Sequence, residues 1–316
     1  MADKKIIAVA GATGSQGGGL ARAILNDKQS EFTVRALTRD VTSEKAKALG
    51  ALGAELVQTD VNDVESVKRA FAGAYGAFCV TFFWEHFSPE QEGKQVANLA
   101  QAAKAAGLKH VIWSTLEDTR KWVPLSDERM PTLQEKYKVP HFDAKGEADK
   151  LFEELGVPTT YLMAAFYWDN FIFFGSGPTR DSDGRLVLNM PMGDKKLPGI
   201  ASEDIGKTAY GIFKRGSEMI GKRMGIAGEH LSGSEMAAAL TKALGEQVDY
   251  NAVPFDVFRS LDIPGAADLG NMFQFHHDFE SDFRAARDVA ATRALNPELK
   301  TFEAWLAQNG SKIPLG

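Results

Sequence analysis

A short apolar run, Ile6-Ile7-Ala8-Val9-Ala10, passes without interruption into Gly11-Ala12-Thr13-Gly14-Ser15-Gln16-Gly17-Gly18, and this junction restricts the chain more than any other stretch. It reads as a buried strand that enters a glycine-punctuated turn and leaves it as a helix. In that arrangement Gly11 permits the tight turn, Gly14 lets backbone approach a pyrophosphate, and Gly17 lets the helix lie close to the sheet. The helix, Ser15 to about Leu25, directs its unpaired N–H groups and the positive end of its dipole at the phosphates. Its Leu20, Ala23 and Ile24 face supplies the packing context that an isolated glycine spacing lacks.

Up to residue 163 the same logic repeats, with short apolar runs alternating with amphipathic stretches at βαβ spacing. Strands are predicted at Ile6 to Ala10, Thr33 to Leu37, Glu55 to Gln58, Gly76 to Val80, His110 to Ser114 and Thr159 to Met163. Helices are predicted at Ser15 to Leu25, Ser43 to Leu52, Val64 to Phe71, Pro89 to Ala106 and Phe142 to Leu155. Strands buried on both faces read as continuous apolar runs, so the expected fold is α/β, a Rossmann-like doubly wound parallel sheet. Residues 1–163 form its NADP-binding domain in this reading. After Met163 the alternation loosens, and residues 164–316 read as a smaller, mostly helical lobe on the substrate or partner side that can return strands to the sheet. Loops are expected at Pro178 to Gly184 and Pro191 to Pro198. Helices are expected at Ser202 to Phe213, Ser234 to Leu244, Ala266 to Phe275 and Phe302 to Gln308, with short strands at Met224 to Ala227 and Val248 to Ala252.

Composition narrows the partners. A net charge of -6 leaves no global basic field to recruit nucleic acid, so local donors must hold an anionic cofactor. Cys79 is the only cysteine, which rules out an internal disulfide; its place in Ala77-Phe78-Cys79-Val80 reads as a packed thiol. No apolar run approaches the length of a membrane span, and the first strand begins too early for a signal peptide, so a cytoplasmic protein is expected, or also a nuclear one in a eukaryote.

Further candidate residues fall at the carboxyl ends of the predicted strands. Arg39, after the second strand, suits a 2′-phosphate through its planar guanidinium and favours NADP over NAD, although Asp40 beside it would reverse the preference after a shift of one position. Lys45 is a second cation for the same phosphate or a solvated lysine. Asp60 follows the third strand, either at the adenine edge or as a helix cap. Thr81 ends the fourth strand, followed by Phe82-Phe83-Trp84 as pocket wall or core. Ser114 ends the fifth, and Lys145 lies on the following helix, as in a short-chain dehydrogenase. That chemistry uses a tyrosine four residues before the lysine, and position 141 is His; Tyr137 lies beyond Pro140, off the same helix.

At about 100° per residue, Phe142, Ala148, Leu151, Phe152 and Leu155 share one face, and Lys145 falls inside it beside His141. An inward lysine needs a partner. The ribose of a nicotinamide cofactor and Asp149, one turn on, are the alternatives. Histidine is a residue type that exchanges protons near neutral pH, which makes His141 a candidate to donate one in place of the tyrosine. His276 and His277, adjacent on a helix, point about 100° apart and form no metal pattern, and no Cys/His cluster, nucleophile elbow or Walker-type loop occurs.

Taken with Thr38-Arg39, Glu90-Gln91-Glu92-Gly93-Lys94-Gln95, His141-Phe142-Asp143-Ala144-Lys145-Gly146-Glu147, Pro264-Gly265-Ala266-Ala267-Asp268-Leu269 and Asn271-Met272-Phe273, the glycine segment resembles the NmrA-like family over nearly the whole chain. The likeness is closest to its animal-type NADPH-sensor branch. It implies an atypical short-chain dehydrogenase fold that binds NADP(H) without the active-site tyrosine. Carried onto this sequence, the phosphate loop falls on Gly11, Thr13, Gly14, Gln16 and Gly17, the 2′-phosphate contact on Arg39, and the nicotinamide-side lysine on Lys145. The chain departs from that branch at Thr81-Phe82 and in a longer connection from Trp122 to Lys138. The resemblance implies a redox sensor that binds a protein partner, with a homodimer left open. The alternative is an NADPH-dependent reductase of a small carbonyl, quinone or enone, in which Phe166, Tyr167, Trp168 and Phe171 wall the substrate or fill core. Direct nucleic-acid binding is not expected.

Overall fold

The structure, a computed structural model, describes residues 4–315. Six strands, β1 (Lys5–Val9), β2 (Phe32–Thr38), β3 (Glu55–Gln58), β4 (Gly76–Cys79), β5 (His110–Thr115) and β6 (Thr159–Met163), pair in the order β3-β2-β1-β4-β5-β6, and Arg223–Gly225 adds a seventh strand beside β6. Every registered pairing among the six is parallel, with Ile7 opposite Val34 and Val9 opposite Phe78 across the two sides of β1. The strand order reverses between β1 and β4. A doubly wound sheet leaves a crevice at its carboxyl edge at such a point, because the connections depart in opposite directions.

The helices between them are α1 (Ser15–Asn26), α2 (Glu44–Ala51), α3 (Val64–Phe71), α4 (Pro89–Ala106) and α5 (Pro140–Glu154). Apolar residues of α3, α4 and α5, including Val67, Phe71, Val96, Leu99, Ala103 and Phe152, form one continuous core with Ala8, Ala77, Cys79 and Trp113 of the sheet. Burial pushes the Cys79 thiol well up, as expected for a packed, unreactive cysteine. A further helix, Ser202–Arg215, lies so close to α1 that a Cβ at Gly206 would stand 2.1 Å from the Leu20 nitrogen, and one at Gly19 2.5 Å from the Glu203 carbonyl oxygen. The helix α5 starts at Pro140, two residues before the predicted bound. Proline at a first-turn position opens a helix without loss, because no intrahelical bond is due there.

Two compact units divide the chain: residues up to 118, 144–163 and 203–224 in the first, and 119–143, 164–202 and 225 onward in the second. Residue 163 closes one segment of the first unit, yet the chain has already left that unit at 119–143 and re-enters it at 203–224. The second unit holds helices at Gly233–Leu244, Ala266–Asp278 and Phe302–Asn309, in line with the expected helical character. It also holds two three-stranded sheets, of whose strands the sequence reading has only Val248 to Ala252. In one, Lys196–Ile200 lies between Glu229–Ser232 and Phe166–Tyr167; in the other, Leu186–Asn189 lies between Val248–Asn251 and Thr179–Arg180. The loops expected at Pro178 to Gly184 and Pro191 to Pro198 therefore contain strand residues, formed by pairing with distant segments. Phe166, Trp168 and Phe171 are buried among Phe302 and Trp305, so these aromatics fill core.

Among the described residues, no helix is long and apolar enough to cross a membrane, and no group of three or more His, Cys, Asp or Glu side chains is placed to hold a metal.

Candidate functional site

The glycine turn emerges directly from β1. Gly11 has φ +60°, a conformation that strains any side chain, and Gly14 stands at the N-cap of α1, where it offers no capping side chain. A Cβ at Gly17 would meet the Gly11 and Ala10 carbonyl oxygens at 2.5 and 2.8 Å, so only glycine allows α1 to leave the strand this closely. Gly11, Gly14 and Ser15 are exposed, Thr13 and Gln16 half-buried. The helices α2 to α5 each carry an acidic residue in their first turn; α1 carries none. Its helix dipole is therefore left uncompensated beside exposed backbone with no Cβ, which fits an anionic diphosphate.

Arg39 lies just past β2, with its side chain exposed and ion-paired to Glu85 of the short turn Phe83–Glu85. Lys45 is exposed in the first turn of α2. Asp60 caps its own loop: its carboxylate accepts from the Asn62 backbone N–H at 2.9 Å and from Asn62 Nδ2 at 2.8 Å. The cap of α3 is Asp63, which accepts from the Glu65 N–H, so the helix-capping alternative for Asp60 belongs three residues later.

At the ends of β4 and β5 the polar groups are engaged with one another. Lys145 Nζ lies 2.6 Å from Glu92 Oε1 and donates to Thr81 Oγ1 at 2.7 Å, while the Thr81 hydroxyl donates to the same carboxylate at 2.5 Å. Glu92 is fully buried, and the ammonium also lies over the Trp113 ring at 5.1 Å. Asp149, the ion-pair alternative for Lys145, is instead held by Trp113 Nε1 at 2.9 Å, Thr115 Oγ1 at 2.6 Å and Arg223; its burial raises the carboxyl pKa, opposed by those bonds. Ser114 Oγ donates to Gln16 Oε1 at 2.8 Å, tying the glycine turn to the end of β5. His141 belongs to the second unit, where its Nδ1 lies 2.6 Å from Asp268 Oδ1 and its backbone N–H donates to Asp268 Oδ2 at 3.2 Å.

The structure thus joins Thr81 to Lys145 and Ser114 to Gln16, and it pins His141 separately. The sequence reading lacked Glu92, Glu85 and Asp268 as partners. Glu92 had a visible signal: it shares the inward face of α4 with Val96, Leu99 and Ala103, and a carboxylate on an apolar face requires a cation.

Comparison with known proteins agrees with this geometry. The NmrA-like family model matches residues 3–306. The chain is 30% identical to the NmrA-like family domain-containing oxidoreductase FrzB of a Cladobotryum species, covering 85% of this chain and 83% of that one. It is 28% identical to the oxidoreductase lnbB of Aspergillus flavus, covering 80% and 77%. Among solved structures it is similar to NmrA, described as a negative transcriptional regulator, with a TM-score of 0.78 and 26% identity over 97% of this chain and 95% of that one, in complexes with NADP and with NAD. Coverage from the first strand through the last long helix, together with the glycine turn, leaves one assignment: the chain belongs to the NmrA-like family.

Proposed function

We propose that this protein binds NADP(H) in its first unit and acts as a redox-responsive regulator whose association with another protein changes with cofactor occupancy. The observation that carries this reading is a contrast inside that unit. The phosphate-facing turn is open, whereas the two groups a short-chain dehydrogenase would use, Lys145 Nζ and Ser114 Oγ, are already bonded to Glu92 with Thr81 and to Gln16. In this reading the first-turn N–H groups of α1 receive the pyrophosphate, with Thr13, Ser15 and Gln16 beside it. Arg39, aided by Lys45, takes the 2′-phosphate, Asp60 lines the adenine edge, and Thr81 with Lys145 lies toward the nicotinamide ribose. NADP(H), when bound, supplies the capacity to give or take a hydride. That NmrA is a transcriptional regulator solved with both NADP and NAD supports a regulatory role. Such a switch requires that the partner bind the occupied and empty forms with different affinity.

The names of the curated relatives favour a second reading, an NADPH-dependent reductase of a small carbonyl, quinone or enone. Lys145 would then be the acid: its ammonium, paired with Glu92, donates to Thr81 Oγ1, and the Thr81 hydroxyl, turned from Glu92, would pass a proton to the substrate oxygen. One experiment separates the two readings. Purified protein is titrated with NADPH, then incubated with a panel of quinones and enones while cofactor absorbance, molecular size and protease sensitivity are followed. Regulation predicts saturable binding, a change in size or sensitivity, and no substrate-dependent oxidation. Turnover that disappears in Lys145→Met while NADPH still binds would replace it with the reductase.

A further inference from the structure

We propose that Glu85 is a specificity determinant of the cofactor site: its carboxylate occupies Arg39 in competition with a 2′-phosphate, so that NADP(H), and not NAD(H), opens the segment that carries it. This rests on the assignment of Arg39 to the 2′-phosphate. The two side chains are ion-paired while 72% and 48% exposed, so the link is weak enough for a dianionic phosphate to displace. The carboxylate that closes it belongs to no distant surface. It lies on the turn that follows β4, four residues after Thr81, so whatever happens at Arg39 is passed to the chain leading from the Thr81–Lys145–Glu92 cluster.

The local backbone supports a segment held under tension. Phe87 adopts φ +53°, a left-handed conformation that a bulky residue rarely takes. Phe82 and Phe87 are 53% and 37% exposed on either side of buried Phe83. A backbone hydrogen bond from the Phe87 N–H to the Phe83 carbonyl, 2.8 Å, and one from the Ser88 N–H to His86 Nδ1, 3.1 Å, close the turn upon itself. With a 2′-phosphate on Arg39, Glu85 loses its partner and the turn loses its tie to the end of β2. A cofactor lacking that phosphate leaves the tie in place. The distinction between the two pyridine nucleotides is thereby written into residues 82–88.

The test is a double-mutant cycle, with dissociation constants for NADPH and NADH measured calorimetrically for the wild type, Glu85→Gln, Arg39→Ala and the double variant. Hydrogen–deuterium exchange over residues 82–88 is followed in parallel. Glu85→Gln should tighten NADPH by about two- to fivefold, the range for removing a competing exposed ion pair, leave NADH unchanged, and have no effect in the Arg39→Ala background. Exchange in the segment should quicken with NADPH and not with NADH. Equal tightening for both nucleotides, or tightening that persists without Arg39, would overturn the competition and reduce Glu85 to bulk charge. If Arg39→Ala leaves the NADPH/NADH preference intact, the assignment of Arg39 itself fails, and the inference with it.

Discussion

The glycine turn after β1 and the polar cluster at the ends of β4 and β5 belong to the same sheet edge, yet they are built in opposite ways. At the first, backbone is laid bare: Gly11, Gly14 and Ser15 are exposed and the first turn of α1 has no acid to neutralise it. At the second, side chains are closed upon themselves, with Lys145, Thr81 and Glu92 joined in one buried cluster and Ser114 held by Gln16. One is an open seat of backbone donors suited to an anion; the other already has its counter-ion. A chain with this contrast sets exposed backbone donors beside a polar cluster whose groups are already paired.

The largest effect should come from closing the open end. Gly17→Val places a Cβ where backbone oxygens stand 2.5 and 2.8 Å away, so α1 must move and its donors lose their aim. Calorimetry should show NADPH affinity falling roughly 100-fold or more, since two bonds to charged oxygens at about 1.5–3 kcal/mol each are lost. Unchanged affinity would mean the phosphates are held elsewhere.

Breaking the closed end should cost stability instead. Glu92→Ala leaves the Lys145 ammonium buried without its carboxylate, a loss of about 3–5 kcal/mol, read from the urea midpoint. An unmoved midpoint would show that the cluster is not a structural ion pair.

A third effect belongs to the opposite edge of the sheet, at the start of β5. Burial lowers the pKa of His110 to about 4, from an ordinary value near 6.5, and its Nε2 meets Thr160 Oγ1 at 2.8 Å. The unfolded chain takes up this proton near pH 6.5 while the fold refuses it until about 4, so stability is complete above 6.5 and is lost as pH falls between the two. The full loss is about 3 kcal/mol. His276, buried among phenylalanines in the second unit and lowered for the same reason, acts in the same direction. Stability that rises as pH drops from 6.5 to 4.5 in a denaturant titration would contradict both.

The smallest effect is expected at the bridge between the two ends. Ser114→Ala removes the hydroxyl bonded to Gln16 and should lower stability by about 1 kcal/mol, with NADPH affinity changed less than by Gly17→Val. A loss of affinity equal to that of Gly17→Val would make Ser114 a direct cofactor contact.

The same contrast explains what was legible in the sequence. The glycine turn is local, so its strand, turn and helix could be read from thirteen successive residues, Ile6 to Gly18. The bounds of β3, β6, α3 and α4 likewise fall where periodicity put them, because buried parallel strands and amphipathic helices write continuous patterns. The closed cluster is assembled from three elements: Thr81 lies 11 positions from Glu92 and 64 from Lys145, and nothing in the spacing of single residues pairs them. The small sheets of the second unit were illegible for a related reason. Thr179–Arg180 and Phe166–Tyr167 are too short to show a period, and Lys196–Ile200 contains Pro198 and Gly199, which read as a loop until Glu229–Ser232 is laid beside them.

The most direct test of the open-seat account is a calorimetric titration of the purified protein with NADPH and with NADH. The account predicts one saturable site per chain, with NADPH bound more tightly by virtue of Arg39. Absence of heat with either nucleotide at millimolar concentration would contradict it.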